Sequence, residues 1–364
     1  MIIGIDASNI RTGGGKKQLE EFVNYTINNN KHISFIVVSN KTINSLFKNT
    51  KAVKCITNKL LNSNSFFSLI SQFLMSGYYF KKNKCRLVFA PGGIFLSSFR
   101  PFFTMSQNML PFDSKEIKNF SINKRIKFRL IKILQLISFK NSNGVIFLTE
   151  YARSVVKESI RKKINSIVIP HGIEQKEFNT YSNQNLIFNI LYVSDFLPYK
   201  HNLNVFRAVV ELISEGLDIN LTLIGKKDNS QYPIMKEELS KKPNLTNKIN
   251  IVGQIPPKQI AKYYQKASLL LFASSCENLP FIILEALSYG LPIITTNKSP
   301  MKDLVYGDQI FFDSYNKDDI KEIIRQNFDK EKLKQLSINN YRLSKKYTWK
   351  NNINKTLNFF NSYS

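Results

Sequence analysis

Short β-branched runs alternate with longer stretches of helical period twice along this chain, and that repeated alternation constrains the fold more than any other feature. The first series reads MIIGID, HISFIVVS, RLVFA, NGVIFLT and INSIVIP. After a polar, turn-rich segment, EQKEFNTYSNQN, the second reads LIFNILYVS, INLTLIG, NKINIVG, ASLLLFAS, LPIITT and QIFF. Apolar runs separated by segments such as HNLNVFRAVVELISEG are the pattern of parallel strands covered by helices on both faces. At 364 residues the chain exceeds what one core serves, and its 43% hydrophobic content is enough to fill two. The expected fold class is therefore α/β, with two Rossmann-like parallel-sheet domains over residues 1–180 and 181–344 and a boundary near residues 178–185. The last segment, EKLKQLSINNYRLSKKYTWKNNINKTLNFF, carries no strand pattern and reads as two helices.

Several chemistries are excluded or disfavoured at this level. Cys55, Cys85 and Cys276 are odd in number and far apart, without C-x-x-C or Cys/His ligand spacing, so they read as free thiols in a reducing compartment. No Asp-x-Asp motif or His/carboxylate cluster is present, and no metal site is expected. The opening MIIGID lacks the basic region and cleavage site of a secretory signal, so a cytoplasmic location is expected. The net charge of +26 is lopsided: residues 1–180 hold 28 Lys and Arg against 9 Asp and Glu, and the remainder 24 against 17. A basic first half suits an acidic membrane face or another polyanion, and serves equally as a solvated surface. Aromatic residues sit inside apolar runs and no nucleic-acid recognition motif appears, so nucleic acid is not an expected partner.

Two stretches look partly membrane-like. Residues 60–80, LLNSNSFFSLISQFLMSGYYF, are long enough to span a bilayer, but Asn and Ser lower the hydrophobicity, so a buried or interfacial helix is expected. Residues 115–140, KEIKNFSINKRIKFRLIKILQLISFK, alternate Lys and Arg with Phe, Ile and Leu at helical spacing. This is either an interfacial amphipathic helix or a domain helix with an apolar inner stripe and snorkelling lysines, and the second is preferred.

The segment LLLFASSCENLPFIILEALSYGLPIITT carries the most chemistry. A buried strand ends in a Ser-rich loop holding Glu277, and a helix then opens at Pro280. Glu285 lies in that helix's first two turns, where unpaired N–H groups and the helix dipole favour anions. Ligands of open α/β sheets lie outside the carboxyl ends of strands, so a phosphorylated substrate with hydroxyls for the two carboxylates would fit here.

These residues resemble the glycosyltransferases of family 4, of GT-B fold, whose mark is Glu-x7-Glu within S-x-x-E-x-x-P-x-x-x-x-E-A-x-x-x-G-x-P. The matching positions are Ser274, Glu277, Pro280, Glu285, Ala286, Gly290 and Pro292. The resemblance runs over nearly the whole chain and implies two Rossmann-like domains facing a central cleft, with the final helix, about 345–364, crossing back to the first. It implies a first domain that binds acceptor and a second that binds the nucleotide-sugar donor. Glu277 would bond hydroxyls of the donor sugar, Glu285 those of the ribose, and backbone N–H groups from Asn278 through Leu279 and Pro280 to Phe281 would line phosphate or sugar oxygens. In LYVSDFLPYKHNLNVFRAV, Ser194 opens the loop and Lys200 matches the family's diphosphate lysine, whereas Asp195 stands where an Arg is usual. Lys226, after LTLIG, adds charge near the nucleotide or is a solvated loop residue.

The first domain supplies three further candidates. In SNIRTGGGKKQLEEF, Gly13, Gly14 and Gly15 separate strand from helix, and the resemblance implies a loop that closes over donor phosphates; no P-loop Lys-Ser/Thr follows, which disfavours ATP hydrolysis. TMSQNMLPFD offers Gln107, Asn108 and Asp113 on the acceptor side, where many relatives carry a His. His171, in the IPHG turn, either approaches the cleft or bonds its own backbone, the second being preferred. His32 and His201 are the remaining histidines, and Trp349 is expected to anchor a hinge.

The implied reaction is transfer of a hexose or hexosamine from a nucleoside diphosphate sugar to a glycan hydroxyl with retention, using the donor as co-substrate and no other cofactor. Glu277 and Lys200 would be its catalytic residues. The acceptor is expected to be lipid-linked, in capsule, O-antigen or lipopolysaccharide synthesis, with peripheral association at the inner face of the membrane. An epimerase of the same fold and a sugar-nucleotide-binding pseudoenzyme are the alternatives. No pair of carboxylates spans one sugar ring, which disfavours a glycosidase.

Overall fold

The computed structural model describes residues 1–11, 13–47, 49–160, 162–178, 188–227, 230–305 and 310–363. The chain divides into two compact units. The first comprises residues 1–112, 122–172 and 348–364, and the second residues 113–121 and 173–347.

The first unit holds seven strands: β1 (Ile2–Asp6), β2 (Ser34–Val38), β3 (Val53–Ile56), β4 (Leu87–Ala90), β5 (Phe102–Ser106), β6 (Gly144–Phe147) and β7 (Ser166–Val168). They pair in parallel in the order β3-β2-β1-β4-β5-β6-β7. The second holds β8 (Phe188–Val193), β9 (Ile219–Ile224), β10 (Ile249–Gly253), β11 (Leu269–Phe272), β12 (Ile293–Thr296) and β13 (Ile310–Phe312). Their order is β10-β9-β8-β11-β12-β13, again all parallel. Both sheets thus contain the doubly wound 3-2-1-4-5-6 order, whose direction reverses between the first and fourth strands and leaves a crevice at their carboxyl ends. Buried on both faces, the strands read as apolar runs rather than alternations, which is why all eleven of the expected runs became strands. The run VKCI of β3 escapes the pattern because this sheet-edge strand is short, with Lys54 exposed within it.

Aromatic side chains fill the first core. Phe22, Phe89 and Phe103 surround Phe360, which is 1% exposed, at centroid distances of 6.3, 5.2 and 4.7 Å. Phe360 comes from the last helix, Trp349–Asn361, so the carboxyl terminus belongs to the first unit. In the second unit Tyr192, Phe196 and Phe206 pack with Leu and Ile from β9, β11 and the Asn202–Ser214 helix.

Two of the four places where the chain passes between units, at 172/173 and 347/348, are tied on each side. Ile173 donates its N–H to Tyr347 O at 3.0 Å within the second unit, and Gly172 packs against the backbone of Trp349 within the first. The boundary expected near residues 178–185 falls almost wholly outside the described residues. Phe178 itself belongs to the second unit, stacked on Tyr341 at 4.5 Å. The segment 113–121, internal to the expected first domain, packs with the second unit.

The membrane-like stretch at 60–80 is a Ser65–Ser71 helix, a π-helical turn over Gln72–Ser76, and a Gly77–Lys82 helix. Residues 122–141 form one 20-residue helix. Its apolar stripe does not turn inward as preferred from the sequence: Ile122, Ile126, Leu130, Ile133 and Ile137 are exposed, and Gln135, Ser138 and Phe139 are buried. Among the described residues no helix is long and apolar enough to cross a membrane.

Candidate active site

In the second unit the reversal point lies between β8 and β11, and the expected donor residues gather at the carboxyl ends of these strands. β8 runs into Ser194 and Asp195, then a 3-10 turn, Pro198–Lys200. β11 runs into Ser274–Pro280, and the Phe281–Ser288 helix follows. Lys200 and Glu277, 77 residues apart, form a direct ion pair, each side chain 14% exposed. The sequence reading gave them separate tasks; the structure makes them partners. The ammonium also lies 5.0 Å from the Tyr199 ring centroid and 5.8 Å from that of Phe272, so aromatic faces support the cation. Burial raises the pKa of the Tyr199 hydroxyl, the nearby carboxylates adding to the shift, and of the Cys276 thiol, so both stay protonated.

Asp195 does not confront a phosphate site with an unpaired carboxylate. Its Oδ1 accepts the backbone N–H of Lys226 at 3.0 Å, and Phe196 N–H bonds Lys226 O at 3.0 Å. Asp195 thus ties the β8 loop to the β9 loop. The Lys226 side chain is exposed. Gly225 sits so close that a Cβ would lie 1.8 Å from Ser194 O. Ser194 Oγ accepts from Asn202 Nδ2 at 3.1 Å, fixing the strand end against the next helix.

Asn278 and Leu279 are buried, and Pro280, the N-cap of the Phe281–Ser288 helix, contributes no side-chain hydrogen bond there. Glu285 accepts the Tyr264 hydroxyl at 3.1 Å, and Tyr264 stacks on Tyr289 at 5.3 Å. That phenol is pushed well up in pKa by burial and by Glu285 beside it.

A network that the sequence did not announce supports the loop. Ser275 Oγ bonds Glu116 Oε1 at 2.8 Å and His201 Nε2 at 2.9 Å, and Tyr315 donates its hydroxyl to the same Glu116 oxygen. Glu116 is 1% exposed, and Asn119 donates to its other oxygen at 3.0 Å. His201 adopts φ 53°, directly after Lys200, and packs edge-on to Tyr315. Burial lowers its pKa and Glu116 partly offsets this. The only local signal is D-x-x-E at 113–116, which reads as a helix cap, and Asp113 does accept Lys115 and Glu116 N–H at 3.0 Å.

In the first unit, the reversal point between β1 and β4 opens on a cavity of about 690 Å³ lined by Asn9, Gly15, Gly92, Gln107, Asn108 and Gln135 among others. Gly13, at φ 71°, turns the chain into the helix that begins at Gly14. A Cβ on Gly15 would lie 2.8 Å from Gln107 Oε1, so these two expected residues are neighbours. Asn108 Oδ1 accepts Leu110 N–H at 3.0 Å. His171 is placed elsewhere: it is buried, its Nδ1 meets Gln18 Oε1 at 2.7 Å, and Gln18 continues to Asn352. Burial and Lys17 push its pKa down to about 3. Also missed was Asp6, fully buried at the end of β1 and raised in pKa by that burial, which Gln72 from the π-helical turn bonds at 2.9 Å.

Residues 173–343 match the family described as "Glycosyl transferases group 1". An uncharacterized glycosyltransferase of Methanocaldococcus jannaschii is 26% identical over 212 residues, 57% of this chain and 56% of that protein. The serotype-specific mannosyltransferase WbdA of Escherichia coli is 25% identical over 138 residues, 38% of this chain and 17% of that protein. The chain therefore spans about half or less of the length of these relatives. Among solved structures, sucrose-phosphate synthase from Thermosynechococcus elongatus superposes with a TM-score of 0.78 at 14% identity, covering 100% of this chain and 99% of that one. Anabaena HepE in complex with UDP-glucose gives 0.73 at 15% identity, covering 100% of both. By sequence over residues 173–343, and by the fold of its two Rossmann-like units, this chain is similar to the group 1 glycosyl transferases of GT-B fold.

Proposed function

We propose that this protein is a retaining glycosyltransferase that moves a hexose or hexosamine from a nucleoside diphosphate sugar to a hydroxyl of a lipid-linked glycan. The observation that carries the reading is the Lys200–Glu277 pair at the β8/β11 reversal point, inside the region similar to group 1 glycosyl transferases. A cation held by a carboxylate suits a donor that presents anionic diphosphate beside neutral hydroxyls: Lys200 takes the diphosphate, and Glu277 turns to sugar hydroxyls. Glu285, on the next helix, holds the ribose hydroxyls. In the transfer the anomeric carbon–oxygen bond to the diphosphate breaks while the acceptor oxygen bonds to the same carbon on the same face. The acceptor proton passes to the departing phosphate oxygen. Catalysis rests on orientation and on stabilising the leaving charge through Lys200 and the start of the Phe281–Ser288 helix. The complex of HepE with UDP-glucose and the naming of WbdA as a mannosyltransferase support a nucleotide-sugar donor and a polysaccharide product.

The test is a thermal-shift screen against UDP, GDP, ADP, CMP and dTDP with their sugar conjugates. One nucleoside diphosphate raises the melting temperature through linkage, and Glu285→Ala abolishes the rise. No rise with any of them sinks the reading.

A further inference from the structure

Ten of the fourteen large hydrophobic residues exposed among the described residues stand on two helical segments of the first unit. Ile122, Ile126, Leu130, Ile133 and Ile137 occupy one helix, within an arc of about 80° at the helical repeat. Phe66, Phe67, Phe73, Leu74 and Tyr78 occupy the segment Ser65–Lys82. All ten are between 42% and 71% exposed, so the apolar surface is contiguous with solvent rather than with core. A helix that only packs on its own domain has the opposite polarity.

Charge indicates what covers this face. The Ile122–Asn141 helix has no acidic residue; Lys127 and Arg129 flank its stripe, and Lys124, Arg125 and Lys132 occupy the rest of its circumference. No Asp or Glu occurs between Glu21 and Asp113. The residues of the first unit include 27 Lys and Arg against 5 Asp and Glu, so this unit holds +22 of the chain's +26. Apolar anchors at helical spacing inside a cationic field are the two terms of binding to an anionic interface.

The cavity at the β1/β4 reversal point lies between the two segments: Phe66 and Leu69 line it from one, Leu130, Ile131 and Leu134 from the other. Asn9, Gln107, Asn108 and Gln135 share this mostly apolar lining, and Asn9 Oδ1 and Gln135 Oε1 are buried without a hydrogen-bond partner. Amide oxygens only accept, so the group that satisfies them brings O–H or N–H donors.

We propose that this face docks on an anionic lipid bilayer and that the cavity receives from it a hydroxyl-bearing amphiphile, with hydroxyls on Asn9 and Gln135 and hydrocarbon between the Phe66 and Leu134 sides. This rests on the glycosyltransferase reading only in naming that amphiphile the acceptor. It accounts in one step for the outward stripe, the one-sided charge and the two unpartnered amide oxygens.

Sedimentation with vesicles tests the face. Wild-type protein pellets with mixed phosphatidylglycerol/phosphatidylcholine vesicles at low salt and not with phosphatidylcholine alone, and the Ile126→Glu/Ile133→Glu variant loses at least about tenfold in binding with its melting temperature unchanged. Dodecyl maltoside below its micellar concentration tests the cavity: it raises the melting temperature, and both Gln135→Leu and the cavity-filling Leu130→Trp remove the rise. Absence of vesicle binding, equal binding by the variant, or a dimer that the variant dissociates without any vesicle binding overturns the docking. A maltoside shift that is absent, or indifferent to both substitutions, overturns the cavity assignment. The melting-temperature rise with the nucleoside diphosphate found in the donor screen, measured on the same samples, separates these failures from failure of the donor site.

Discussion

Lys200 and Glu277 are each largely removed from water, so each neutralises a charge that would be costly alone. Removing one partner of such a pair leaves an uncompensated charge, a penalty of roughly 3–5 kcal/mol in fully buried cases and less at this exposure. If the pair also meets the donor, the functional loss exceeds the structural one. Lys200→Ala and Glu277→Gln should each lower kcat/KM by at least about 100-fold, and the double variant should be little worse than either single one. Initial-rate measurements in a double-mutant cycle check this; additive losses would mean that the residues act separately. His171 offers a prediction on stability. Its pKa near 3 in the folded chain lies below the ordinary histidine value of 6.5, so the unfolded chain binds a proton that the folded one refuses. The linked stability is fully present above pH 6.5 and is lost progressively as pH falls from 6.5 toward 3. His201, also lowered by burial, adds to the same slope. His171→Gln should flatten the fall in melting temperature between pH 6.5 and 4; an unchanged slope would exclude His171 as a source.

Elements hold these residues through their ends. The Phe281–Ser288 helix stops at Gly290, whose φ of 64° is left-handed and whose Cβ, were there one, would lie 2.6 Å from Phe178 Cε2. Gly290→Ala meets both strain and a ring already stacked on Tyr341, and should cost about 1–3 kcal/mol in the second unit's denaturant transition. A loss under about 0.5 kcal/mol would show that the loop relaxes freely. At the opposite end of the same β11 loop, Glu116 acts as a positioning residue through Ser275. Glu116→Ala leaves the Tyr315 and Ser275 hydroxyls without that acceptor and should raise the donor KM several-fold more than it lowers kcat. Tyr315→Phe, which removes one bond and leaves the carboxylate on Ser275, should have a smaller effect of the same kind. Equal loss in kcat and KM-independent rates would instead place Glu116 in the chemistry.

At the scale of the whole molecule, the chain ends in the unit where it began. The Trp349–Asn361 helix completes the first core: Phe360 lies among Phe22, Phe89 and Phe103, and Phe359 packs on Phe103 and against Gly144. The chain Pro170 O, Asn352, Gln18 and His171 adds polar ties between this helix and the Gly14–Asn29 helix. Phe360→Ala opens a cavity among aromatic rings and should destabilise the first unit by about 3–5 kcal/mol. Calorimetry that resolves two transitions should show the first unit's moving and the second's staying in place.

Much was legible from the order of residues alone. Apolar runs with helical stretches between them specify parallel strands because each strand must be apolar on both faces, and eleven such runs became strands. The S-x-x-E…E-A motif located Glu277 and Glu285 because a strand, a loop and a helix start are local in sequence. What stayed hidden was set by distance along the chain. Lys200 meets Glu277 only because β8 and β11 are neighbours in the sheet, and Glu116 reaches Ser275 only because residues 113–121 pack with the second unit. Periodicity also marked the apolar stripe at 122–137 without its direction. An apolar face lowers its free energy equally against a protein core or a hydrocarbon interface, and tertiary packing alone turned this one outward.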